Sequence, residues 1–200
     1  MGEKDVSAGR KTRNTLSSQD QESMILAAAE VEFAETGVRK ANVDTVAARA
    51  GVSRSTLYRR FANKEELLVA VAQRQYERVM RDLDTAVAGL SPQEAVVEAF
   101  VAGATLIEQD KLVRRLLVDG DVKILTAHMP SLFIELATER VAATLRRAGA
   151  QMPADDLHDV VEIHVRLVIS FMEVPPSDTG RWSPEKVRAT VGKFIAPMVW

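Results

Sequence analysis

Hydrophobic residues recur at helical spacing along nearly the whole chain from Ser18 onward. In the first such segment, Ile25, Ala29 and Phe33 fall on one face at four-residue spacing, and Gly37 ends the segment. No stretch shows the sustained alternation of polar and apolar residues that is typical of a half-buried strand. The pattern therefore predicts an all-α fold.

Helix-capping residues divide this pattern into separate helices. Asn42 and Ser53 are suited to cap two short helices, 43–50 and 54–61. Asn63, with Glu66 three residues later, has the form of a capping box that opens a longer helix. The later helices are predicted from Ser91 to about Gln109, from Leu112 to Val118, from Pro130 to Arg147, from Asp155 to Met172 and from Ser183 onward.

The two short helices and the glycine between them have the dimensions of a helix-turn-helix. Gly51 lies where the chain leaves the first helix, a position that favours a left-handed backbone. A small core that would hold the two helices together is supplied by Val46, Val52, Leu57 and Phe61. The outer face of the second helix is polar and basic, as it must be to enter the major groove of DNA.

Composition excludes several other classes of protein. Of the 200 residues, 46% are hydrophobic and 27% are charged, which is typical of a globular chain. The absence of cysteine excludes disulfides, thiolate nucleophiles and cysteine-ligated metal. No apolar run approaches the roughly 18 residues that span a bilayer, and no signal peptide is visible. We therefore expect a cytoplasmic protein without membrane contact, metal or cofactor.

The net charge of −2 conceals an uneven distribution. Residues 1–64 hold 11 basic and 8 acidic residues, whereas residues 65–200 hold 15 basic and 20 acidic residues. Within 36–64, seven basic residues accompany a single acidic one, Asp44. A basic segment on an otherwise acidic chain is typical of a nucleic-acid-binding surface, and here it coincides with the predicted helix-turn-helix.

At these residues the chain resembles the TetR family of bacterial transcriptional regulators. The resemblance rests on Ile25-Leu26, Ala28-Ala29, Phe33 and Gly37, on Val43 through Ser53, on Thr56-Leu57-Tyr58 and Phe61, and on Lys64 through Leu68. It implies that four side chains can read bases, namely Arg54, Ser55, Thr56 and Arg59. It also implies that five hold the phosphate backbone, namely Asn42, Ser53, Tyr58, Arg60 and Lys64.

Three residues depart from the family's common pattern. Asn42 replaces the usual threonine or serine, and Arg60 stands where histidine is common. Arg54-Ser55 replaces a common Lys-Gly pair, so we do not expect the base preference to be inherited. Residues 1–17 form a predicted flexible tail whose basic cluster, Arg10, Lys11 and Arg13, is either a disordered segment or an arm that binds a DNA groove.

The remaining chain divides into a DNA-binding domain, 18–65, and a helical ligand-binding and dimerisation domain, 66–200. The helix 155–173 has one narrow polar stripe and is otherwise apolar, so it should be buried on two sides, by its own core and by a partner. The resemblance implies a homodimer formed through the last two long helices; the alternative is a monomer with a thick core. The predicted interface is Leu157, Val161, His164, Val168, Phe171, Val187, Val191, Phe194, Ile195 and Met198.

In the family, the region corresponding to 91–150 encloses a cavity for a small-molecule effector. Candidate lining residues are Phe100, Thr105, Leu106, Gln109, Leu116, Leu117, Leu125, His128, Met129 and Phe133. Ordinary core packing is the alternative for each of them. Because the set is mainly aliphatic with little fixed charge, we expect an apolar or amphipathic effector.

The features of the sequence bear on three classes of function. The leading prediction is a ligand-responsive dimeric repressor that binds a palindromic DNA operator and is released by its effector. A DNA-binding activator, or a nucleoid-type binder without ligand response, is the alternative. An enzyme is not expected, because no spacing resembles a catalytic pair, a nucleophile elbow or a phosphate-binding loop.

Overall fold

The computed structural model describes residues 17–121, 123, 124, 130–173 and 183–200, and within these ranges the chain is helical without strands. The helices are α1 Ser18–Thr36, α2 Val43–Arg49, α3 Arg54–Arg60, α4 Lys64–Ala86, α5 Pro92–Gln109, α6 Lys111–Asp119, α7 Pro130–Arg147, α8 Ala154–Glu173 and α9 Pro184–Phe194, followed by a 3₁₀ turn at Ala196–Met198. The all-α prediction is confirmed. Four predicted site side chains, those of Leu125, His128, Met129 and Phe133, lie outside the described residues, as does the basic cluster at Arg10, Lys11 and Arg13.

Helix starts follow the capping residues of the sequence closely. Ser91 forms a complete capping box with Glu94, as does Ser17 with Asp20. At α4 only half of the predicted box forms. Asn63 accepts the backbone N–H of Glu66 at 2.7 Å, whereas the Glu66 carboxylate reaches back to the N–H of Ala62 at 2.9 Å.

Two hydrophobic cores organise the described helices. The first, which we call the head core, is built from α1 to α3 and the start of α4, and it also takes Leu112 and Leu116 from α6. The second, the body core, joins α5, α7, α8 and α9 to the far end of α4, at Leu83. Helix α4 contributes to both cores without a break, through Leu67, Leu68 and Val71 at one end and Leu83 at the other. Helices α4 and α6 therefore connect the head to the body.

Half of the residues of the predicted dimer interface are buried within the single chain. Five of its residues are buried in the body core with at most 4% of their surface exposed: Leu157, Val161, His164, Val187 and Val191. They face their own chain and are not accessible to a partner. Of the other five, Phe194 is 64% exposed and Met198 is 36% exposed, while Val168, Phe171 and Ile195 are half-buried. Helical periodicity does not separate the two apolar faces of one helix, so the sequence could not distinguish these two groups of residues.

None of the helices in the described ranges is both long and apolar enough to cross a membrane.

Candidate nucleic-acid interface

A buried glutamate fixes the start of α2 against α1. Glu32 is only 3% exposed, and its Oε1 accepts the backbone N–H of Asn42 at 3.1 Å. Its second oxygen lies 3.7 Å from Nη2 of Arg49 at the other end of α2. The Asn42 side chain then caps the helix by accepting the N–H of Asp44 at 2.8 Å. These contacts hold α2 in a defined orientation beside α3.

Three hydroxyl groups gather at the N-terminus of α3. The Ser53 hydroxyl accepts the backbone N–H of Thr56 at 3.1 Å and lies 2.8 Å from the Thr56 hydroxyl and 2.9 Å from that of Ser55. Ser53 and Ser55 are exposed, and Thr56 is half-buried. The cluster places hydroxyl donors and acceptors at the end of α3 that a helix-turn-helix directs into the major groove.

An open groove connects the starts of α2, α3 and α4, and we call it the head groove. It is lined by Lys40, Ala41, Asn42, Val43, Asp44, Arg54, Tyr58, Ala62, Asn63 and Lys64. Three of the predicted phosphate-binding residues, Asn42, Tyr58 and Lys64, thus lie together, with the predicted base reader Arg54 beside them. Lys40 adds a cation that no individual prediction had named, although it belongs to the basic segment of the sequence. The positive N-terminal end of α4 also favours an anion here.

Lys64 is partly engaged within the protein. Its Nζ donates to the backbone carbonyl of Arg39 at 3.0 Å and reaches that of Ala41 at 3.5 Å. An ammonium group has three donors, so one remains for a phosphate. The contacts position the charge at the edge of the head groove.

Arg60 is less exposed than Arg54 and Arg59, the other two arginines of α3. Its side chain is only 15% exposed. Its Nη1 atom lies 3.2 Å from Oε2 of Glu22, and its Nη2 atom donates to the Ser18 hydroxyl at 2.8 Å. The guanidinium group therefore ties the end of α3 to the start of α1. The sequence could not show this, because the partners lie about 40 positions away.

We expect Arg60→Ala to lower the free energy of unfolding by about 1–3 kcal/mol, because it removes charge-assisted hydrogen bonds to α1. Arg59→Ala is the matched control. Arg59 is exposed, and it makes no hydrogen bond or ion pair to any residue that the structure describes. Its replacement should leave stability within about 0.5 kcal/mol of wild type. Urea denaturation compares the two, and equal losses of stability would contradict the assignment.

The two predicted base-reading arginines differ in their surroundings. Arg54 pairs with Asp44 across the head groove, whereas Arg59, further along α3, is exposed to solvent. Both present guanidinium donors at the surface, which is the group best suited to guanine. The arrangement combines a recognition helix, hydroxyl donors and a cationic groove.

The effector-site candidates that the structure describes are divided between the two cores. Phe100 is buried in the body core and makes an edge-to-face contact with the His164 ring, with 5.8 Å between centroids. Leu116 instead belongs to the head core, and Leu117 packs against that core. Thr105 and Leu106 are half-buried, and Gln109 is exposed. The sequence did not assign Leu116 and Leu117 to the head, because their apolar pattern does not reveal which core they join.

The fold and this interface define a helix-turn-helix DNA-binding protein. Two family models match the chain: "Bacterial regulatory proteins, tetR family" over residues 25–71, and "Bacterial Tetracyclin repressor, C-terminal domain" over residues 92–197. The chain belongs to the TetR family of transcriptional regulators, as the resemblance implied. Members of this family are DNA-binding regulators and not enzymes.

Individual relatives agree with the family assignment. The HTH-type transcriptional activator FasR of Mycolicibacterium smegmatis is 33% identical over 142 residues, which cover 69% of this chain and 63% of FasR, so less than two thirds of the relative is matched. The TetR family repressor AlkX of Dietzia sp. has a similar fold, with a TM-score of 0.67 at 22% identity, covering 88% of this chain and 95% of AlkX. RolR in complex with resorcinol gives a TM-score of 0.60 at 18% identity, covering 90% and 91% of the two chains.

Proposed function

We propose that this regulator binds a palindromic DNA operator as a homodimer, acts as a repressor, and is released by a small apolar or amphipathic effector. The main support for DNA binding in this proposal is the head groove. There Asn42, Tyr58 and Lys64 lie beside Arg54, at the start of the recognition helix. Side chains far apart in the sequence meet on one cationic surface. This placement suits contacts to the phosphate backbone on either side of a major groove.

Selection of bound duplexes from a random pool tests the operator. The winning sequence should be a palindrome, preferred over random DNA by roughly a thousandfold or more. Arg54→Ala or Arg59→Ala should relax preference at individual base pairs, whereas Lys64→Ala should weaken binding to every duplex and flatten its salt dependence. Uniform effects of all three substitutions on specific and random DNA would contradict the separation of base from phosphate contacts.

An exposed apolar face on α8 and α9 supports dimerisation. Ile163 on α8 is 46% exposed and Phe194 on α9 is 64% exposed. Leu167, one turn after Ile163, is only half-buried. Exposed apolar side chains of this kind mark interaction surfaces. A two-fold dimer through α8 and α9 would present two heads to the two halves of a palindrome.

We expect Ile163→Asp combined with Phe194→Asp to convert the dimer to a monomer, because each change places a charge in a buried apolar interface. The measurement is molecular mass by light scattering over a range of protein concentrations. Val31→Asp is the matched control, since Val31 is 43% exposed but lies on α1 in the head. A double variant that remains dimeric would place the interface elsewhere.

A buried histidine supports an amphipathic effector in the body core. The Nε2 atom of His164 is buried and has no hydrogen-bond partner among the described residues, and the ring of Phe100 lies against it. Desolvation lowers the pKa of His164 to about 4, so the ring is neutral at physiological pH. A neutral, unpaired nitrogen in an apolar core fits a neutral molecule that carries a hydroxyl or carbonyl group. RolR, which shares this fold, binds such a molecule in resorcinol.

Helix α6 supports a mechanical link from effector to DNA. It follows α5 directly, and Leu112 and Leu116 are buried in the head core. At its start, Asp110 accepts from Gln75 of α4 at 2.6 Å, and after its end Asp121 pairs with Arg39 of the head at 3.2 Å. A shift of α5 on effector binding would therefore move the head relative to the body.

An activator is the second candidate, and it is favoured by the name of the 33% identical relative, FasR. Transcription in vitro from a template that contains the selected operator distinguishes the two modes. A repressor lowers the yield of transcript when added, and an activator raises it.

A further inference from the structure

A single carboxylate, that of Asp44, lies in the head groove. It is the one acidic residue between positions 36 and 64, where seven residues are basic. Its side chain is 52% exposed, and it lines the groove together with Lys40 and Lys64. A carboxylate on a surface that accepts phosphates repels them, so Asp44 by itself lowers affinity for every duplex.

Asp44 holds one edge of the Arg54 guanidinium group. Nη1 of Arg54 donates to Oδ2 of Asp44 at 3.1 Å, and Nε lies 3.1 Å from Oδ1. A guanidinium group has five N–H donors in a rigid plane. Only the Nη1 contact has hydrogen-bond geometry, so Asp44 takes one donor and leaves both N–H groups of Nη2 available. Guanine needs two parallel donors for its O6 and N7 atoms, and the outer edge of Arg54, formed by Nη2 and the second N–H of Nη1, can supply them.

Tyr58 restricts the same arginine from a second direction. The Cζ atom of Arg54 lies 5.4 Å from the centroid of the Tyr58 ring, one helical turn further along α3. Arg54 nevertheless remains 66% exposed and accessible to DNA. An ion pair between two exposed side chains contributes little to stability. Together with the Tyr58 contact, the pair favours one orientation of Arg54, in which its outer edge is open.

We propose that Asp44 is a specificity-determining positioning residue, which holds Arg54 by one edge so that the opposite edge reads a guanine. Its negative charge also keeps Arg54 from binding phosphates on unrelated DNA. On the operator, Arg54 gains its base contact without leaving Asp44. On random DNA the repulsion from Asp44 remains and no base contact offsets it. The proposal rests on the operator binding proposed above and extends it to a residue outside the recognition helix.

The test compares Asp44→Asn, Arg54→Ala and the double variant with the wild-type protein. Dissociation constants are measured by fluorescence anisotropy at one salt concentration, for the duplex that the wild type selects and for a random duplex of equal length. Asp44→Asn should bind random DNA more tightly and lower the ratio of operator to random affinity by about tenfold. A set of operators with single base-pair changes should show the loss at the base pair that Arg54→Ala also relaxes. The double variant should lose nothing more at that base pair.

Glu35→Gln is the matched control. It removes an exposed carboxylate from the same head, one that pairs with Arg49 at 2.7 Å and does not line the head groove. The control should leave the ratio of operator to random affinity unchanged.

Two results would overturn the proposal. In the first, Asp44→Asn raises affinity for both duplexes equally, which would make Asp44 a source of general repulsion only. In the second, it relaxes a base pair that Arg54→Ala leaves unaffected, which would make Asp44 itself a base reader. Failure of the wild type to select any palindrome would instead contradict the proposed operator binding. Thermal melting of each variant checks that the head remains folded.

Discussion

Acidification from pH 7 to pH 4 should destabilise the fold by up to about 3 kcal/mol through His164 alone. This side chain is 4% exposed, and desolvation lowers its pKa from 6.5 to about 4. Below pH 6.5 the unfolded chain takes up a proton at this position, whereas the folded protein does not until the pH approaches 4. The contribution is therefore complete above pH 6.5 and is lost as the pH falls towards 4.

Urea denaturation at several pH values measures this loss. His164→Leu removes the titrating group at similar volume, so the difference in unfolding free energy between wild type and variant isolates its contribution. Carboxylates also titrate in this range, but they do so in both proteins and cancel in the difference. A difference that stays constant from pH 7 to pH 4 would show that His164 gains protons equally in the folded and unfolded states. An effector that hydrogen-bonds to His164 should bind the Leu variant less tightly while the affinity for DNA without effector is unchanged.

Leu116→Ala should lower the free energy of unfolding by about 2–5 kcal/mol, because it leaves a cavity in the head core. Leu116 is 7% exposed, and it extends from α6 into a core built mostly by α1 to α4. The substitution should weaken the packing of α6 into the head core, and with it the connection between the head and the body. Trp200 accepts the backbone N–H groups of Gln151 and Met152 in the body, so its fluorescence in a Trp182→Phe background reports on the body, whereas far-ultraviolet circular dichroism reports on all helices.

The two signals should follow one unfolding transition in wild type and separate in Leu116→Ala, with the head unfolding first. Val118→Ala is the matched control on the same helix, since Val118 is 78% exposed. It should change stability by less than about 0.5 kcal/mol and keep the transitions coincident. Coincident transitions in Leu116→Ala would mean that α6 does not carry the coupling between the two cores.

Local signals in the sequence predicted the helices well. Ser53 and Ser91 cap helices in the structure as their positions indicated, and the helix-turn-helix lies at the predicted place. Capping depends on contacts within three or four residues, which the sequence displays directly. The basic character of 36–64 was visible for the same reason, since charge is a property of composition.

The sequence by itself determined the helical fold, the family and the location of the DNA-binding surface, because each depends on short-range patterns or on a motif of adjacent residues. Tertiary structure alone decided which face of α8 is buried, which core receives Leu116, and whether a given arginine reaches solvent. Arg60 and Arg54 are equally basic in the sequence, yet one is committed to α1 and the other is presented by Asp44. Burial and pairing depend on neighbours that lie far away along the chain, and a helical period records only that a face is apolar, not what covers it.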